Sequence, residues 1–348
     1  MTPQPLQSAT YELPDAFDAN EFYQRQGWTD GLPIVPPTEE RVRACLDAAG
    51  LSPGEVIGVE PVRQRYIVAE KVAINAVMAG CLPAYMPVVV AVVRAMCEPE
   101  FNLHGSTAST GGSAQFIVVN GPIRTAIGMN ATHGVLGNGS RANATIGRTI
   151  RLLLLNVLGC IPGQLDRATF GHPGKFTFCV AEDEEDSPWT PLAQERGVPA
   201  GVSAVTVLAG GSPRQVMNEW TQDPEEVAAT FAAEMRHNML TYSAWPGNYA
   251  LLIPKQLRDV FVSAGWQKGD IRECVYRSAR VFRREWATVG KKNLVDRGGG
   301  PDQEFTALRA PDDLLVIAAG GPAGGFAAIV PPWFGARSLA VTKVVESV

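Results

Sequence analysis

The stretch LGNGSRANATIGRTIRLLLLNVLG (136–159) combines the residue types best suited to holding an anion. A glycine-broken polar loop (Gly137, Asn138, Gly139, Ser140) runs into a helix whose first two turns carry Arg141, Asn143, Thr145 and Arg148. The first N–H groups of a helix lack partners within it, and its dipole makes that end positive. Arginines and small hydrogen-bonding side chains there would seat a carboxylate or phosphate. The apolar run that follows (150–157) would anchor the seat in a core. A well-capped structural helix is the competing explanation.

Other reactive groups lie close by. Three of the four histidines fall in the glycine-rich middle: His104 in NLHGS, His133 in ATHGV and His172 in FGHPGK. None sits in HExxH spacing, so a metal site would need the three loops to converge, with Glu182, Glu184 or Asp166 completing it. A divalent transition metal is thus one expected cofactor, and plain hydrogen bonds to backbone are the alternative. Cys81 directly precedes Leu82-Pro83 and a helix, where a thiolate would be favoured. Cys179 stands three residues before Glu182 in an apolar run. Both are candidate nucleophiles, although a buried cysteine is ordinarily a small hydrophobe.

The run GHPGKFTFCVAEDEEDSPW (171–189) is dense in such groups. Lys175 follows a glycine–proline turn and would reach an anion. In extended backbone Glu182 and Glu184 share a face, where two carboxylates can divide into proton donor and acceptor. Asp183 and Glu185 would then face solvent. Lys71 and Asn75 lie one turn apart on an otherwise apolar helix, a polar face that would point toward a ligand. His104, Ser106, Thr107, Ser109 and Thr110 make a hydroxyl-rich loop before an apolar run. GGPAGGF (320–326) permits close backbone approach but lacks GxGxxG spacing and the later acidic residue, so no nucleotide cofactor is expected.

These groups need a scaffold, and the patterning supplies an α/β one. Apolar runs at 56–60, 115–120, 176–181, 202–208, 251–253 and 314–319 alternate with helical patterns at 40–49, 68–79, 84–97, 143 onward, 223–240, a segment ending at 264, and 270–280. The order helix, Ala79-Gly80-Cys81, helix, strand, Asn120-Gly121-Pro122 recurs as helix, Ala264-Gly265-Trp266, helix, strand, Gly320-Gly321-Pro322. This weak repeat predicts two similar α/β lobes with a cleft between them: an arm over 1–25, a first lobe over 26–200 and a second over 201–348. The excursion at 283–310 reads as a lid.

Composition narrows the class. With 348 residues, 46% hydrophobic, 19% charged and a net charge of −5, the chain has no bulk attraction to nucleic acid or anionic lipid. No apolar run is long enough to span a bilayer. Six scattered cysteines without CxxC suit a reducing cytoplasmic setting. The proline-rich start and apolar balance suggest a homo-oligomer.

Together WTDGLPIVPPTEERV, AEKVAINAVMAGCLPAYMPVV, NGSRANATIGRTIRL, GHPGKFTFCVAEDEEDSPW and AGWQKGDIRECV resemble a broad bacterial family, similar to the region joined to or accompanying small UGSC-type (seleno)protein domains. The resemblance covers roughly 25–345 and implies chemistry at sulfur or a related heteroatom. The Gly-Ser-Cys tripeptide of that partner is absent here, so the thiol or selenol would come from Cys81, Cys179 or a separate protein. The combined expectation is an enzyme cleaving a carbon–sulfur or carbon–nitrogen bond in a small anionic substrate. Arg141 and Arg148 would hold the anion, a metal or thiolate would act at the reacting centre, and Glu182 or Glu184 would move protons. The alternative is a non-catalytic anion binder or an oligomeric scaffold for a thiol protein.

Overall fold

A strand whose residues are nearly all apolar cannot leave a face in water, so it needs cover on both sides. The computed structural model, which describes residues 4–296 and 299–346, meets that need with two sheets packed between helices. The chain opens with α1 (Ala16–Gln26) and α2 (Glu39–Ala48), then the hairpin β1 (Val56–Glu60) and β2 (Arg65–Val68). Helices α3 (Ala69–Ala79), α4 (Met86–Met96) and α5 (Leu103–Ala108) lead into β3 (Ala114–Asn120). Next come α6 (Ile123–Ala126), α7 (Arg141–Asn156), β4 (Cys179–Ala181), α8 (Leu192–Glu195), β5 (Ala204–Gly210) and β6 (Arg214–Met217). The remainder includes α9 (Pro224–Thr241), β7 (Tyr249–Ile253), α10 (Lys255–Ser263) and α11 (Lys268–Ser278). It closes with β8 (Arg280–Phe282), β9 (Glu304–Thr306), β10 (Leu314–Ala318), β11 (Phe326–Val330) and β12 (Val341–Val344).

The sheets repeat one pattern. The first runs β4-β3-β5-β12, with β3 parallel to β4, β3 antiparallel to β5 and β5 antiparallel to β12. The second runs β10-β7-β11-β6, with β7 parallel to β10, β7 antiparallel to β11 and β11 antiparallel to β6. By neighbours, β3 corresponds to β7, β4 to β10 and β5 to β11. The fourth strand is exchanged: β6 follows β5 but joins the second sheet, and β12 follows β11 but joins the first. The repeat in residue order therefore sits in a different register, since it set β3 against β10. Helix–helix–strand order is common to many α/β segments, whereas strand neighbours identify equivalent positions. A division at 200 does not separate the sheets, because β5 and β12 belong to the first. The N-terminal arm ends in a helix: Asp15 caps α1 by accepting from the Asp18 N–H.

Period-two alternation splits each strand between two cores. Phe116, Val118 and Leu208 of the first sheet face Leu252, Ile317 and Val330 of the second. Outward, Ile117 and Val207 pack with Ala73, Val89 and Ile146 of the first helical layer. On the far side Leu251 and Val316 pack with Phe231, Phe261 and Ile271. The result is four layers, helix–sheet–sheet–helix. Each such side chain contributes about 1.5–3 kcal/mol by leaving water. The space between the sheets is thus a filled apolar layer, and the cleft expected there is confined to its ends. The 283–310 excursion is tied to the body by the β8–β9 pairing and by buried Trp286, whose Nε1 donates to Met239 O at 3.1 Å; its residues 297 and 298 lie outside the described ones. Among the described residues no helix is long and apolar enough to cross a membrane.

Candidate functional site

The carboxyl ends of parallel strands are where α/β sheets leave crevices for ligands, and here four of them converge. β3 ends in Asn120-Gly121-Pro122, β4 runs into Glu182, β7 into Pro254 and β10 into Ala319-Gly320. The Asp183 N–H donates to Ala318 O at 2.7 Å, tying the end of β4 to that of β10 across the two sheets.

A buried charge network secures this junction. Glu182, 1% exposed, accepts at Oε2 from Asn120 Nδ2 (2.6 Å) and the Leu192 N–H (2.7 Å). Its Oε1 accepts from Lys268 Nζ (2.8 Å) and the Ala318 N–H (3.4 Å). Glu184 accepts from the same Asn120 amide (2.8 Å) and from the Gly121 N–H (2.8 Å), with Arg124 Nε 3.1 Å away. The two glutamates do meet, as their spacing implies, on Asn120. Four donors leave Glu182 no lone pair for a substrate, so it serves as a staple rather than a base. Glu185 is exposed, as expected, and pairs with Arg124 (3.0 Å), whereas Asp183 is buried against Arg258 (3.3 Å), because extended pairing stops at Ala181 and the alternation stops with it. The hydrogen bond and charge of Arg124 hold the Glu185 carboxyl below its ordinary range.

Beside this junction the mouth of the inter-sheet layer forms a cavity of 420 Å³. Leu252 and Ala328 make its apolar floor, while its walls combine glycine backbone, Gly134 and Gly137 on one side and Gly320, Gly321 and Gly324 on the other, with the side chains of Val135, Leu136 and Phe326. The Gly320 N–H donates to Ala131 O at 2.9 Å, so a loop of the first half is sewn to the second. Gly320 has φ +117°, a conformation that side chains resist. A Cβ on Gly321 would lie 3.2 Å from His133 Cδ2, which places the exposed imidazole at the rim. Pro254, also in the wall, precedes α10, whose first turn has no side-chain cap. That helix start offers positive potential and free N–H groups to an anionic end of a bound molecule. Gln215 adds an amide to the lining.

The anion seat read at the start of α7 is already filled by the protein. Arg141 Nε and Nη2 both donate to Gly80 O (3.0 and 2.9 Å). Arg148 forms a two-pronged pair with Asp30 (2.8 Å twice) and also donates to Pro33 O at 2.8 Å, clasping the TDGLP loop. Asn143 accepts from the Asn130 N–H (3.0 Å) and donates to Asn130 O (2.8 Å), bracing the loop that reaches His133. Thr145 donates to Arg141 O at 2.8 Å. Lys71 donates to Ser8 Oγ (2.9 Å) and Asn75 to Lys71 O (2.8 Å) while accepting from Asn156 (2.7 Å), so neither addresses a ligand. Lys175 pairs with Asp166 at 2.7 Å. Burial opposes charge on Asp166, yet Lys175 and the Ala168 N–H hold its carboxyl low.

The histidines stay apart. His104 lies on α5, His133 at the rim, and His172 accepts from the Gly174 N–H at 3.1 Å with Nε2 3.3 Å from Gly210 O. Burial pushes the His172 pKa down, favouring the neutral ring that this acceptor role requires. Among the described residues no three His, Cys, Asp or Glu side chains form a group able to hold a metal ion. Ser106 and Thr107 are buried and donate to Leu103 O (3.1 and 2.8 Å).

Cys81 and Cys179 are buried in the first helical core, and burial pushes both thiols up. Cys81 Sγ also lies 3.2 Å from Thr149 Oγ1. Both are therefore protonated and shielded, not poised nucleophiles. Iodoacetamide applied to the native protein is expected to leave both unlabelled, and to label all six cysteines after unfolding. Rapid native labelling of either, read by peptide mass, would restore the thiolate mechanism.

Residue patterns alone missed Asn120, Arg258 and Lys268. Arg258 and Lys268 read as ordinary charges on amphipathic helices, yet they are 1% and 2% exposed. Asn120, a polar residue closing an apolar run, was the signal available. No protein-family model matches the chain, and no curated protein matches it.

Proposed function

We propose that this chain is an enzyme that draws a small carboxylate-bearing molecule into the glycine-walled mouth and cleaves a carbon–heteroatom bond in it, carbon–sulfur first and carbon–nitrogen second. The observation that carries this is the set of groups around one small cavity. It has an apolar floor, glycine-rich walls, an uncapped helix start and a single imidazole at the rim. The carboxylate would sit at the start of α10, its carbon chain on Leu252 and Ala328. The His133 imidazole, at the rim, is the group placed to take and return a proton. In a hydrolysis it would take the proton of the incoming water and return it to the departing sulfur or nitrogen. The family resemblance supplies the preference for sulfur; the glycine backbone of the walls supplies the tolerance for close approach. Glu182, Asn120 and Lys268 act at one remove, fixing the ends of β3, β4 and β10 beside the cavity.

The test is a thermal-shift screen of small thio- and amino-carboxylates, each paired with its neutral amide, followed by product analysis on those that bind. His133→Ala is expected to retain binding within about threefold and to lose turnover by about 10²–10⁴, the usual range for general acid–base groups. Full turnover by His133→Ala would remove the imidazole from the chemistry. Equal binding of acids and amides would remove the anion preference.

A further inference from the structure

The opposite ends of the strands carry a second cavity, of 380 Å³. Residues 109–111, just before β3, form one side, and residues 242–245, just before β7, form another. Trp333 and Phe334, after β11, complete it, with Lys291 at the edge. Since β3 and β7 are equivalent strands, the two halves of the chain contribute equivalent segments, and the cavity exists only when both are folded.

Its apolar part is aromatic and partly uncovered. Trp333 and Phe334 have ring centroids 5.6 Å apart, Trp245 and Phe334 6.5 Å, tilted by 39° and 49°. Trp245 is 52% and Phe334 38% exposed, so two large ring faces border the opening. Their neighbours are held in place: Trp333 Nε1 donates to Ser109 Oγ at 2.8 Å, and the Tyr242 O–H to Gly111 O at 3.1 Å.

The polar part is made of donors. Ser109 Oγ already accepts from Trp333 and from the Gly111 N–H (2.9 Å), which leaves its own proton to give. Ser243 Oγ accepts from the Trp245 N–H at 3.3 Å and also keeps its own proton to give. Lys291 brings an ammonium, and among the described residues no Asp or Glu lines the cavity. Partial burial pushes the Lys291 pKa down, as for a cation with no anion beside it. Aromatic walls alone would also suit a cationic ligand, but the lysine repels one. A neutral ring would leave the ammonium uncompensated.

We propose that this cavity binds a planar aromatic carboxylate, its ring against Trp245 and Phe334 and its carboxylate on Lys291 and a serine hydroxyl. Offset or tilted stacking supplies the apolar contribution and a charge-assisted hydrogen bond supplies selectivity. The site lies at the far end of the sheets from the glycine-walled mouth and does not depend on the reaction proposed there.

Calorimetric titration of the full chain with 2-naphthoate and, separately, 2-naphthamide tests it. The carboxylate is expected to bind at least about tenfold tighter than the amide, a difference of about 1.4 kcal/mol. Lys291→Met should abolish that preference while leaving amide affinity in place. Trp245→Ala should weaken both probes, and Gly321→Val, at the other site, should change neither. Circular dichroism confirms that each variant is folded. Equal affinity of the two probes, retained preference in Lys291→Met, absence of measurable heat, or loss of binding in Gly321→Val would each overturn the proposal.

Discussion

Glu182→Gln is expected to be the most destabilising conservative substitution in the chain, lowering stability by about 3–5 kcal/mol, the usual cost of leaving a buried charge without its partner. Lys268 is 2% exposed and has Glu182 at 2.8 Å; its remaining carboxylate, Glu195, lies farther, at 3.4 Å. Glutamine keeps the shape but loses the charge. Its amide also sets a donor against one of the donors, Lys268 Nζ on one side or Asn120 and the Leu192 N–H on the other, that Glu182 now receives. In a chain of this size the thermal midpoint should fall by roughly 4–7 °C. Combining Glu182→Leu with Lys268→Met is expected to recover only part of that loss, because it removes the unpaired charge but leaves the Leu192 N–H and one Asn120 amide proton without their acceptor. A loss below about 1 kcal/mol would mean that water reaches this junction and that the staple is dispensable.

Gly321→Val is expected to have the opposite profile, little change in stability and loss of ligand binding by more than about 100-fold. The first added carbon would already lie 3.2 Å from His133 Cδ2 and 3.6 Å from Cγ. The two methyl groups of valine must therefore displace the imidazole or fill the cavity. Complementary overpacking inside a core would cost about 1–3 kcal/mol, but Gly321 is at a half-exposed rim where the ring can swing outward. Binding of the screened carboxylates by Gly321→Val at wild-type affinity would place their site elsewhere. Unchanged binding with abolished turnover would instead show that the rim orients His133 without touching the ligand.

The α/β class was legible because its signals are local. β3 and β5 are apolar nearly throughout, and Ser140 sits where a cap for α7 is needed, accepting from the Asn143 N–H. The spacing of Glu182 and Glu184 likewise predicted their meeting. What was illegible depended on distant partners. Arg148 has the type and position of an anion-binding arginine, but its anion is Asp30, 118 residues away. Cys81 stands near a helix start as an activated thiol would, yet α7 covers it with Thr149. The glycine-rich 320–326 segment was recognised as permitting close approach, whereas the surface it approaches, His133 and its loop, comes from the other half of the chain. The exchanged strands RQVM and VTKV are short and mixed, and nothing in four residues names the sheet they will join.

That exchange also sets a condition on how the protein is made. When β5 emerges from the ribosome its outer edge has no partner, and it waits for β12, which lies far downstream in the chain. An unpaired edge held open that long is a template for mispairing with other chains. A gene divided between the halves would yield two products, each lacking the strand the other carries. The two sheets are therefore inherited as one unit, and duplication, fusion or permutation can reshape this molecule only at points that keep both crossing strands in the same chain.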